Sequence, residues 1–180
     1  ESEIFSPAEL IKKFSLENVN RSPGRFDIEK CRWVNQQHIH KVSAEEFAAA
    51  CNSDATPAML ASVQEKISLL TQVPDAVAFY LDPDYPIAND ALDKVRKNQA
   101  SANLLTALAV TFTDLSDWSK AKSSIGETAK ENGAKPGELM FPLRVALSGK
   151  SGGPDLGTIL EILGQEECVR RINRFTALLS

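Results

Sequence analysis

The sequence predicts an all-α fold, and three observations carry that prediction. Apolar residues recur at intervals of three and four along most of the chain. Ser, Thr or Asp followed by Pro, or by Glu three residues on, stands before several of these stripes and marks helix starts. No run alternates with period two for long enough to make a strand.

Ser6-Pro7 opens the first helix, with Ser as cap and Pro at the first helical position, and Leu10, Ile11 and Phe14 form its apolar stripe. Asp27 caps the second, which runs to about His40 with Ile28, Cys31, Val34 and Ile39 facing inward. Ser43-Ala44-Glu45-Glu46 is a capping-box pattern that starts an Ala-rich helix through Cys51. Thr56-Pro57 begins another, on which Leu60, Val63, Ile67 and Leu70 share one face. Pro74 opens a short apolar helix that ends by Leu81.

Asp82-Pro83-Asp84-Tyr85-Pro86 then excludes helix and makes the best internal boundary. Beyond it, helices are expected at about 89–98, 102–115, 117–132, 136–148, 155–163 and 165–179. Gly133 stands where a C-terminal cap belongs, and Gly164 separates the last two helices. Pro142 should kink or restart the helix that contains it. Short helices on short connections imply antiparallel bundles, here two small subdomains.

The chain has 180 residues, 43% hydrophobic and 24% charged, which suits a globular protein able to bury its own core. A formal charge of -4 and a pI near 5.3 argue against a sequence-independent nucleic-acid coat. They leave room for a local basic face. Cys31, Cys51 and Cys168 are far apart, form no CxxC pair, and read as small buried residues in a reducing compartment. No leader and no apolar run of membrane length is visible, so a cytoplasmic protein is expected. A start at Glu1 rather than Met suggests a piece of something longer.

Few constellations suggest chemistry. Ser148-Gly149-Lys150-Ser151-Gly152-Gly153 invites a phosphate-loop reading, but Arg144 holds the place of the required first glycine, and a helix precedes where a strand is needed. A Gly-rich turn is the plainer reading, and a turn whose backbone approaches RNA is a third. His38 and His40 are two apart, so they cannot share a helix face as metal ligands would. Glu45-Glu46, Asp82 with Asp84, and Glu166-Glu167 have structural work at helix starts and turns. Arg170, Arg171 and Arg174 cluster on the last helix, and Lys94, Arg96, Lys97, Lys120 and Lys122 add charge. A solvated face is the default for such residues, although arginine also suits bidentate contact with phosphates and bases. Arg144 stands out as an arginine among Leu143, Ala146 and Leu147.

Several phrases, in order, resemble the glutamyl-tRNA synthetase family of bacterial and organellar type. Glu3-Ile4-Phe5-Ser6, Phe14-Ser15-Leu16, and Phe26, Asp27, Lys30, Trp33 and Asn35 are similar to the segment after that family's KMSKS region. Asp82-Pro83-Asp84-Tyr85 is similar to its hinge between two anticodon-binding subdomains. PLRVALSGKSGGPDLGTILEILG, from Pro142 to Gly164, resembles its Pro-Leu-Arg-x-Ala-Leu-Thr/Ser-Gly signature.

The resemblance implies a helical cage that reads the anticodon loop of glutamate tRNA. Residues 1–25 would be the end of the stem-contact region, and 26–86 and 87–180 the two anticodon-binding subdomains. Arg144 would serve the second and third anticodon bases, with Gly153, Pro154 and Leu156 giving backbone and apolar contacts. Gly153 stands where the family often has Thr. Lys66 would meet the first base in place of an arginine, and Lys150 would add charge. No cofactor is expected in this chain; ATP and magnesium would belong to the family's catalytic domain, whose HIGH and KMSKS motifs do not occur in these residues. The expected partner is tRNA(Glu), with no membrane and a monomeric state. A helical protein-interaction module without RNA binding is the alternative.

Overall fold

A computed structural model describes residues 4–19, 22 and 24–179. Glu3 of the opening phrase lies outside them, as do Asn20, Arg21 and Pro23. The described residues are helical throughout, with no strand. In order they form α1 (Pro7–Lys13), α2 (Ile28–Lys41), α3 (Ala44–Cys51), α4 (Pro57–Gln64) and α5 (Val73–Leu81). After the linker come α6 (Asn89–Arg96), α7 (Ser101–Asp114), α8 (Ala121–Glu131), α9 (Pro136–Ser148) and α10 (Leu156–Leu179). Three short 3₁₀ turns, Leu16–Asn18, Leu70–Gln72 and Trp118–Lys120, lead into or follow these helices.

The expected caps are formed. Ser6 and Ser43 each accept from the backbone of a Glu three residues on, and that Glu accepts in return. Asp27 accepts from Lys30 N at 3.0 Å, and Thr56 from Met59 N at 3.4 Å. At the other ends, Asn52 and Gly149 take left-handed backbone, with φ of 43° and 70°. Gly164, at φ 74° and ψ 171°, breaks α10 into two helices where a break was expected.

The core lies where α7, α8, α9 and α10 pack together, with α4 and α5 set against α10 and α9. Leu105, Leu108, Leu143, Leu147 and Ile172 are wholly buried there. One apolar cluster therefore runs continuously from Phe47 and Val63 to Phe175, across the linker.

Four expectations fail. Leu10, Ile11 and Phe14 are exposed, as are Ile28 and Cys31, and of the second helix's stripe only Ile39 is buried. The amphipathic pattern is there, but among the described residues nothing packs over it. Cys51 is only half-buried, so Cys168 alone is the small buried thiol expected. The fourth helix stops at Gln64, and Leu70 leaves the stripe. Past it the chain doubles back into a turn held by the Gln72 amide oxygen, which accepts from Ser68 N at 2.8 Å and Leu69 N at 3.0 Å. Finally, α9 runs through Pro142 and does not restart there. The ring sits buried in the core, where packing holds the helix despite the donor lost to proline.

Candidate nucleic-acid interface

Four of the six residues singled out from the sequence line one groove. It has a volume of about 440 Å³ and lies between α4–α5 on one side and the turn joining α9 to α10 on the other. Lys66, Lys150, Gly153 and Pro154 line it. Its floor is apolar, made by Val63, Ile67, Ala76 and Phe79, and its polar groups sit at the rim. An apolar floor with a few placed polar groups is what an unpaired base requires.

Local structure explains how each part is placed. The left-handed Gly149 ends α9, and its carbonyl accepts from Ala88 N at 2.9 Å, which fixes the start of the turn against the linker. Gly153 has φ 145°, a backbone state that threonine would not adopt without strain, so the turn has a shape its glycine permits. The turn ends at Asp155, whose carboxylate accepts from Gly157 N and from Lys122 Nζ. These bonds, with the lysine's first among them, hold the Asp155 carboxyl below the usual range. The Gly-Lys-Ser stretch is thus a turn between helices, without the strand that a phosphate loop needs.

Arg144 stands behind the turn. It is half-buried, and Nη1 donates to the Pro154 carbonyl at 2.6 Å. Its remaining N–H groups have no partner among the described residues. No carboxylate among the described residues pairs with it. Its charge is felt at Tyr80, whose phenol burial pushes up while the Ser62 bond, Arg144 and Arg171 act the other way. Leu156 is buried in the core at 2% exposure, so it supports the turn from beneath and presents no free surface. Lys66 is exposed at the rim, and Lys150 reaches across to Asp75.

The arginines of the last helix do different work. Arg171 is buried and donates to the carbonyls of Phe79 and Leu147, both at 2.7 Å, and to Glu167 at 2.6 Å. Arg170 and Arg174 donate to the carbonyl of Pro83, and Arg174 also to those of Asp84 and Tyr85. The Tyr85 ring lies under Arg171 and Arg174, and its hydroxyl donates to Ala146 O. Burial pushes that phenol up to about 12. These three side chains therefore contact the linker; Arg171 is buried and Arg174 half-buried there, so the solvated-face reading fails for those two, while Arg170 is exposed.

Asp75, like Thr71 and Gln72, lines the groove and was missed by sequence reasoning. Nothing in its spacing separates it from the other carboxylates near helix starts. Ser151, in the turn, has a buried hydroxyl with no partner among the described residues. No group of three or more potential metal ligands occurs among the described residues, and no helix there is long and apolar enough to cross a membrane.

Comparison with known proteins bears on the family and the fold. A family model described as an anticodon binding domain matches residues 24–176. The glutamate–tRNA ligase of Akkermansia muciniphila is 44% identical over 98% of this chain and 42% of its own length. Glutamate–tRNA ligase 1 of Caldicellulosiruptor saccharolyticus is 31% identical over 96% and 40%. Among solved structures, a glutamate tRNA ligase from Elizabethkingia meningosepticum superposes with a TM-score of 0.81 at 28% identity, over 99% of this chain and 38% of that one. The chain thus spans about two fifths of the length of these relatives. On the match over residues 24–176 and on its all-helical fold, the chain belongs to the anticodon-binding domain family.

Proposed function

We propose that this chain reads the anticodon loop of glutamate tRNA on behalf of a glutamate–tRNA ligase. The observation that carries the reading is the groove itself: Lys66, Lys150, Gly153 and Pro154 converge on one apolar trough, with Arg144 directly behind it. Anticodon bases are unpaired, so they can be splayed into such a trough and hydrogen-bonded on their Watson–Crick edges. Residues 26–86 and 87–180 supply the two walls, and Arg144 serves the second and third bases when its grip on Pro154 relaxes. Lys66 meets the first base as a point charge, without the planar fork of an arginine. Activation of glutamate, with ATP and magnesium, belongs to the rest of such a ligase. The working state is a cytoplasmic monomer bound to tRNA.

The test is binding of glutamate tRNA against the same tRNA with its anticodon replaced. The replacement should weaken binding about tenfold or more, the value of a lost bidentate base contact. Equal affinity for both would overturn base reading by this chain.

A further inference from the structure

We propose that Tyr85 is a positioning residue for anticodon reading: from the linker, its hydroxyl sets the end of α9, and with it the place of Arg144 and of the turn that follows. The proposal rests on the anticodon reading above and adds a residue that touches no base. Tyr85 is 2% exposed, so it acts through what it holds.

A helix leaves the carbonyls of its last turn without partners inside itself. At the end of α9, groups from far along the chain take them. The Tyr85 hydroxyl donates to Ala146 O, Arg171 Nη1 to Leu147 O at 2.7 Å, and Ala88 N to Gly149 O at 2.9 Å. Tyr85 and Ala88 belong to the segment between α5 and α6, so the α5 wall of the groove is tied to the helix that carries the other wall. Arg144 stands two residues before Ala146, and the groove's turn begins at Gly149. What holds these carbonyls therefore places both.

Tyr85 is itself held fast. Its ring lies under the guanidinium groups of Arg171 and Arg174, at 4.6 and 5.2 Å, and Arg174 Nη2 donates to its carbonyl at 3.2 Å. The linker also lies so close to α9 that a methyl group on Gly149 would be 2.4 Å from Pro86 O. Burial pushes the phenol up to about 12, so at neutral pH the hydroxyl keeps the proton it donates. A side chain locked by packing and hydrogen bonds can hold a binding group in register.

Only a matched anticodon needs Arg144 and the turn in register, because phosphates of any hairpin can meet Lys66 and Lys150 as point charges. Loosening the end of α9 lowers the population of the reading state, and with it the affinity for matched RNA alone. The worth of one ordinary hydrogen bond sets that loss at about fivefold.

The experiment measures binding of the 180-residue chain to synthetic hairpins with the glutamate anticodon or a replaced one. The chain should prefer the matched hairpin about tenfold. Tyr85→Phe keeps the ring and deletes only the hydroxyl, and it should cut the preference to about twofold by weakening the matched hairpin alone. Thr111→Val deletes a hydroxyl bond of 3.1 Å to Thr128, between α7 and α8 and outside the groove lining, and it should leave the preference unchanged. Should Tyr85→Phe fail to fold by circular dichroism, Arg174→Met frees the same linker from α10 and carries the test with the same expected loss. A preference fully kept in the folded variant, an equal loss on both hairpins, or a like fall in Thr111→Val would overturn this proposal alone. A parent chain blind to the anticodon replacement overturns the anticodon reading, and this proposal with it.

Discussion

The guanidinium of Arg171 lies 4.6 Å above the ring of Tyr85, and both side chains are buried. That pair fastens the linker between the two helical groups. Arg171 holds α5 through Phe79 O and α9 through Leu147 O, while Tyr85 holds α9 through Ala146 O. The groove has α4–α5 for one wall and the turn after α9 for the other, so its width depends on this fastening.

Arg171→Ala should therefore destabilise the chain severely. Truncation leaves two buried carbonyls without donors and Glu167 without its buried partner, a loss of about 3–5 kcal/mol. Arg171→Lys should recover little, because the ammonium's three donors radiate from one nitrogen and cannot span the separate places of Nε and Nη1. Urea unfolding followed by circular dichroism measures both, and a loss under about 1 kcal/mol for the alanine variant would show that the network is not holding the fold.

Acid should loosen the same network. The Arg170 hydrogen bond, with Arg171 behind it, lowers the Glu167 carboxyl from its ordinary 4.5 to about 2, against a smaller upward push from burial. A depressed carboxylate stabilises the folded state above its unfolded value. That contribution is complete above pH 4.5 and is lost as pH falls toward about 2. Midpoints of urea unfolding should decline across that window, and Glu167→Gln should flatten the decline. An equal slope in the variant would assign the acid sensitivity to other carboxylates.

Gly149→Ala tests how the groove's turn is anchored. A methyl group there would lie 2.4 Å from the Pro86 carbonyl and 2.9 Å from the Tyr85 ring, on backbone with φ 70°. Left-handed backbone alone costs a non-glycine residue about 1–2 kcal/mol, and the backbone collision adds to it. The expected loss exceeds about 2 kcal/mol. Gly152→Ala, in the same turn but with nothing near its added methyl, should be close to neutral. Similar melting shifts for the two variants would contradict this anchoring.

The helices were legible in the sequence because their signals are local. Ser6, Asp27, Ser43 and Thr56 cap within three residues of themselves, and Leu60 and Val63 of the fourth helix's stripe are both buried. What was not legible depends on partners far along the chain. Arg170, Arg171 and Arg174 read as one charged face, yet they bond carbonyls of residues 79–85, some ninety positions earlier. The sequence has no marker for such pairing, since the acceptors are backbone atoms. Asp75 was hidden for a like reason: its partner Lys150 comes from the other side of the linker. The apolar positions of α1 were correctly placed on one face, but amphipathic spacing says that a face should be covered and not by what.

Arg144 is the residue on which the proposed anticodon reading depends most, and its substitution tests that reading. Its guanidinium donates one hydrogen bond among the described residues, to the Pro154 carbonyl in the groove wall, so Arg144→Ala removes a single hydrogen bond from the free chain. That is worth about 1 kcal/mol of stability, and the circular dichroism spectrum should be retained. On glutamate tRNA the cost is larger, about 1–3 kcal/mol, because a forked base contact is lost. Arg144→Lys should fare nearly as badly, since it restores the charge without the fork. Filter binding with matched and swapped anticodons separates the two contributions. Loss confined to the matched tRNA is the expected result, whereas an equal loss on both would mean that Arg144 supplies only positive charge.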